Sequence, residues 1–60
     1  MARQQENGII FEIIRLGDYV KVSAVDPITG VEVSVVGPAK GPIEPVKQVA
    51  LQKLRRALTR

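Results

Sequence analysis

The chain reads as an α+β domain: a three-stranded antiparallel meander followed by one C-terminal helix packed on one face, in the order β-β-β-α. Three observations predict this. Apolar residues alternate through three short runs between Ile9 and Val36, two turn signals separate those runs, and the apolar spacing changes from two to about 3.6 after Pro45. The two turns also agree with each other, as the register below makes plain.

Met1 to Gly8 is polar and has no period, so it is expected to be a flexible N-terminal tail, with residues 9–60 forming one domain. Ile9 to Leu16 is the first expected strand and Tyr19 to Val25 the second. Between them Gly17-Asp18 has the chemistry of a two-residue primed turn, which tolerates positive φ and matches strand twist. Leu16 then pairs with Tyr19. Asp26-Pro27-Ile28-Thr29-Gly30 supplies an Asp to open a turn, a Pro to preset φ and a Gly for the left-handed position. Asp26 then pairs with Val31, and Val31 to Val36 is the third strand. Gly37 to Pro42 is a Gly/Pro connector that is expected to end it.

From Pro45 onward Val46, Ala50, Leu51, Leu54, Ala57 and Leu58 fall on one side of a helix. Pro45 suits the first turn, where its missing N–H costs nothing, and Glu44 places a negative charge beside the positive end of the helix dipole. Lys47 lies within the apolar arc and Val49 outside it, so the first turn is the irregular part of the pattern.

Counting outward from both turns places Phe11, Ala24 and Val33 in one row and Ile13, Val22 and Val35 in the next. Ile9, Val20 and Val31 join them on the same face. A slip of one residue in either hairpin would destroy that agreement, because side chains alternate between faces with period two. The helix is the cover available for this face, with Leu51, Leu54 and Leu58 directed onto it. The opposite face carries Ile10, Ile14, Leu16, Tyr19, Val25 and Val36, divided by a polar row of Glu12, Ser23 and Ser34, with Lys21 and Glu32 nearby. Contiguous exposed apolar surface of this kind marks interaction sites, so these six residues are the candidate protein interface. Packing of that face on a second copy is one expected mode, and pairing along the free edge of the first expected strand is the other.

Size supports association. A 60-residue chain buries only about 60% of its unfolded surface, and such domains are commonly stapled by a disulfide, a metal or an oligomer. With no Cys and no His, disulfides and thiolate or imidazole metal sites are excluded, which leaves association with a second copy or another protein. No cofactor is expected. The longest apolar stretch, Ile9 to Leu16, is interrupted by Glu12 and Arg15 and falls far short of the ~20 residues that span a bilayer. A cytoplasmic protein without membrane attachment is the expectation.

Catalysis lacks its usual instruments. Without His or Cys there is no imidazole base, relay or thiol nucleophile, and no Gly-x-Ser-x-Gly elbow accompanies Ser23 or Ser34. Turn chemistry accounts for Asp18 and Asp26, and Lys40 lies in a stretch without the Gly-Lys-Ser/Thr ending of a phosphate loop. The expectation is a non-enzymatic protein. Nucleic-acid binding is the alternative. Lys47, Lys53, Arg55, Arg56 and Arg60 set against Glu44 put the chain's positive charge almost wholly on the helix, and Lys53, Arg56 and Arg60 form a stripe suited to phosphates. Cations near a helix C-terminus also complement its dipole without any ligand.

Three stretches carry a family resemblance. Phe11 to Val22, then Thr29-Gly30-Val31-Glu32-Val33-Ser34-Val35-Val36-Gly37-Pro38-Ala39, then Ala50-Leu51-Gln52-Lys53-Leu54 resemble a small family of alphaproteobacterial proteins known as a domain of unknown function. The resemblance covers nearly the whole chain. It implies a bacterial protein and brings no functional residue with it.

Overall fold

The computed structural model describes residues 2–59. Five elements follow in order: β1 (Ala2–Glu6), β2 (Ile9–Leu16), β3 (Tyr19–Val25), β4 (Glu32–Pro38) and α1 (Glu44–Leu58). The strands form one antiparallel sheet in the order β1-β2-β3-β4. Both expected registers are found: Leu16 lies opposite Tyr19, Phe11-Ala24-Val33 and Ile13-Val22-Val35 run straight across three strands. Gly17 has a φ of 62° and Asp18 does not turn positive, the pattern of a type II′ turn. At the second turn the Ile28 N–H donates to Asp26 Oδ1 at 2.9 Å, and the Asp26 N–H donates to the Val31 carbonyl at 2.9 Å. The Asp side chain thus makes the turn and its own backbone closes it.

The fold corrects the expected three strands to four. Residues 2–6, expected to be a tail, pair with residues 9–13, with Glu6 opposite Ile9 and Ala2 opposite Ile13. The hairpin turns on Asn7 and Gly8, whose φ values of 51° and 80° are the two left-handed positions that a type I′ turn requires. The new strand has no apolar alternation to announce it because it lies at the sheet edge beyond the helix, exposed along its whole length. One consequence is immediate. β2 is paired on both sides, so the edge pairing expected for it does not exist; the free edges are β1 and β4.

A second correction concerns the end of β4, which runs on through Gly37 and Pro38 opposite Val20 and Tyr19. The Ala39 N–H donates inward to the Asp18 carbonyl at 2.9 Å, so by strand alternation the Pro38 nitrogen faces outward and no ladder bond is lost. Gly37 is needed where α1 crosses. A Cβ at this position would lie 2.8 Å from Val46 Cγ2.

Helix α1 begins after Ile43 without a side-chain cap, has Pro45 in its first turn, and packs over β3 and β4. A helix is about 10 Å wide and strands are about 4.8 Å apart, so one helix covers roughly two strands. Val22 and Ala24 of the sheet and Ala50 and Leu54 of the helix are fully buried between the two layers, with Phe11 and Val20 nearly so. Leu51, Val46 and Ile43 pack around this core, as do Ile9, Ile13, Val31, Val33 and Val35.

Two substitutions test this packing. Leu54→Ala should destabilise the domain by about 2–5 kcal/mol, through lost burial and a residual cavity. Gly37→Ala should cost about 1–3 kcal/mol by forcing Val46, a stiff β-branched side chain, away from β4. Urea unfolding followed by circular dichroism measures both, and a Leu54→Ala protein as stable as the parent would contradict the packing described.

Candidate interaction surface

The helix leaves the β1–β2 half of its own side of the sheet short of cover, and Lys47 supplies part of it. Its side chain is 3% exposed and lies over the Phe11 ring, with Nζ 5.1 Å from the centroid. The ammonium donates to Gln4 Oε1 at 2.6 Å and to the Glu6 carboxylate, both on β1, and lies 3.5 Å from Glu44 in its own helix. The aliphatic stem thus finishes the core while the charge stays among acceptors at the sheet edge. The hydrogen bond to Glu6 holds the ammonium above its ordinary pKa. Burial opposes this, and the fields of Glu44 and Glu6 reinforce it. Lys47 falls in the apolar arc for this reason: it is a core residue with a charged tip.

Shallow concavities flank this contact. One of about 320 Å³ lies between the C-terminal half of α1 and the β1–β2 hairpin, floored by Ile9, Phe11, Leu51 and Leu54. Another of about 390 Å³ lies at the other end, between Ile13, Arg15 and Ile43. Among the described residues no cluster of three or more acidic side chains is placed to hold a metal ion.

The opposite face of the sheet has no element against it among the described residues. Its six candidate residues fall into two groups. Ile14, Leu16, Tyr19 and Val36 form a cluster at one end, where the rows Ile14-Lys21-Val36 and Leu16-Tyr19-Pro38 lie side by side. Ile10 and Val25 sit together at the other end beside Glu32. The row Glu12-Ser23-Ser34 separates them, and Ser23 Oγ lies 3.1 Å from Ser34 Oγ, satisfying two hydroxyls in a single contact. Exposure is concentrated in the larger cluster: Leu16 is 53%, Tyr19 60% and Val36 63% exposed, while Ile10, Ile14 and Val25 are partly shielded by neighbours. β1 adds Arg3 and Gln5 to this face, beside Glu12 and Ile10.

The basic stripe is differently placed. Lys53 reaches over β4 and donates to the Ser34 carbonyl at 2.9 Å, covering an outward-facing acceptor on the sheet edge. Arg56 is exposed one turn later, and the two line a shallow depression with Val33 and Ala57. Arg60 lies outside the described residues. Lysines therefore tie α1 to both sheet edges, Lys47 to β1 and Lys53 to β4. No helix of the described chain is long and apolar enough to cross a membrane.

A family model described as "Domain of unknown function (DUF6898)" matches residues 6–60. The chain belongs to the DUF6898 family. The match takes in the Asn7-Gly8 turn, β2 to β4 and the whole of α1, so the Lys47–Glu6 pair lies within the DUF6898 region while Gln4 precedes it. No curated protein and no solved structure matches the chain.

The Lys47 contact has two measurable consequences. Because the folded-state pKa is raised, its stabilising contribution is complete below the ordinary lysine pKa of 10.5 and is lost as pH climbs through the higher folded value. Stability should fall from about pH 10 upward, and the fall should be shallower in Lys47→Met, which keeps the stem and removes the charge. In the same variant, amide exchange in β1 should accelerate by about tenfold or more while Leu54 stays protected. Equal protection of β1 in parent and variant, read by hydrogen-exchange NMR, would show that Lys47 does not hold the strand.

Proposed function

We propose that this domain is a non-enzymatic protein–protein interaction module of the bacterial cytoplasm that self-associates through the outer face of its sheet. The observation that supports it is the uncovered Ile14-Leu16-Tyr19-Val36 cluster. These side chains come from three strands, adjoin one another, and expose more than half of Leu16, Tyr19 and Val36. Burying such side chains is worth roughly 1.5–3 kcal/mol each before the costs of ordering and association are subtracted. Aromatic and aliphatic anchors with a polar surround are the usual anatomy of an interface core.

The edges favour this face over strand pairing. On β4 the Ser34 carbonyl is taken by Lys53, and Pro38 has no N–H to offer. β1 is five residues long, with Arg3 and Glu6 among them. Short strands, charges and proline are the devices by which sheet edges resist pairing.

Sedimentation velocity from about 1 to 300 μM protein tests the proposal, a range spanning interfaces of modest size. The parent should be a dimer at the upper end, and Ile14→Glu should be a monomer with the parent's circular dichroism spectrum. A parent that stays monomeric throughout would overturn self-association, and a fully dimeric Ile14→Glu would overturn this face as its site.

A further inference from the structure

The proposed self-association leaves open how two copies meet, and the charges on the outer face answer it. Beyond its apolar groups, that face carries Arg3 on β1, Glu12 on β2, Lys21 on β3 and Glu32 on β4. Two cations and two anions leave it neutral, so a second copy meets no net repulsion. The charges are not evenly spread along the strands. Numbering rows from the Ile10 end, the acids Glu32 and Glu12 occupy the first and second rows, while Lys21 occupies the third, inside the larger apolar cluster. None of these four makes a salt bridge among the described residues.

We infer that two copies pack outer face to outer face about a two-fold axis running across the strands, so that Lys21 of each meets Glu12 of the other. An axis along the strands, between β2 and β3, would stack like ends: Lys21 would lie one strand from its own mate within the apolar cluster, and Glu12 one strand from its own. An axis across the strands, between the second and third rows, inverts this. Lys21 then lies over the partner's Ser23 and one strand from the partner's Glu12, a lateral offset of about 4.8 Å. Sheets packed face to face lie about 10 Å apart, a gap that a lysine and a glutamate span between them. The outermost rows also match, with Leu16 over the partner's Ile10 and Tyr19 over the partner's Val25. Facing sheets cross at about 30°, yet the Lys21–Glu12 pairs lie next to the axis and are displaced least by that rotation. Glu12 sits between Arg3 of its own sheet and the incoming Lys21, while the Ser23–Ser34 hydroxyl pair gives the centre a polar group that is already satisfied.

This arrangement rests on the outer-face proposal, and charge reversal tests it separately. Lys21→Glu and Glu12→Lys should each weaken the homodimer by about tenfold or more, since each replaces two attractive contacts with two repulsive ones. Mixed in equal amounts, the two variants should form a heterodimer close to parent affinity, because both cross pairs are again opposite in sign. Sedimentation velocity of each variant and of the mixture reads this out, with circular dichroism confirming that each is folded. If Glu12→Lys beside Arg3 fails to fold, a double-mutant cycle with Glu12→Gln and Lys21→Met takes its place, with coupling of about threefold or more expected. Unaffected single variants, a mixture no tighter than its components, or a cycle without coupling would each overturn the arrangement. If the parent dimerises and Ile14→Glu does not, that failure leaves the outer face as the interface. A monomeric parent overturns both.

Discussion

The architecture depends on a mismatch of widths that Lys47 resolves. A single helix covers about two strands, and this sheet has four, so the β1–β2 half of the inner face would be left to water. Lys47 extends the helix's reach. Its stem lies over Phe11, which is buried although it belongs to β2, and its ammonium binds Gln4 and Glu6 on β1. An apolar side chain of equal length would cover Phe11 as well but would leave β1 without its tie to the helix. A shorter one would do neither. Buried charges are costly when unpaired, and this one is surrounded by oxygen at the edge of the sheet, where Glu6 and Glu44 remain half or more exposed to solvent.

Most of the fold is legible in the residues because strand register and helix phase are written in apolar spacing. Gly17-Asp18 and Asp26–Gly30 determine the pairing of β2 to β4, and the core residues Phe11, Val22, Ala24 and Leu54 follow from counting. β1 escapes that reading because an edge strand beyond the helix buries nothing and so has no apolar period. Its signal is chemical: Asn7-Gly8 is the strongest two-residue hairpin signature, and it lacks only the flanking alternation that normally accompanies it. Pro38 escapes for a related reason. Proline ends an interior strand but not an outer edge, and which strand is the edge depends on topology rather than on local sequence.

The surface residues divide along the same line. Ile10, Ile14, Leu16, Tyr19, Val25 and Val36 share the outer face as their alternation requires, but their separation into a large and a small group only emerges with the strands aligned. Lys53 reads as part of a basic stripe in sequence, and in the fold it lies against the backbone of β4. Helical periodicity gives the direction of a side chain; it does not reveal that a carbonyl lies within reach of the tip. Lys47 is the sharper case, since its place in the apolar arc looks like an error of pattern until β1 is in position to receive it.

The order β1-β2-β3-β4 also bears on how the chain assembles. Every strand lies beside its neighbour in sequence, joined by a short turn, so the sheet grows by local hairpins and no distant segments need to find one another. Loop closure is inexpensive over such spans, and topologies dominated by local contacts fold fastest. Sheet proteins are slow largely because their pairings are remote, which is not the case here. The long-range step is the return of the helix onto β3 and β4, and it brings Lys47 within reach of β1. The last element in the chain thus secures the first.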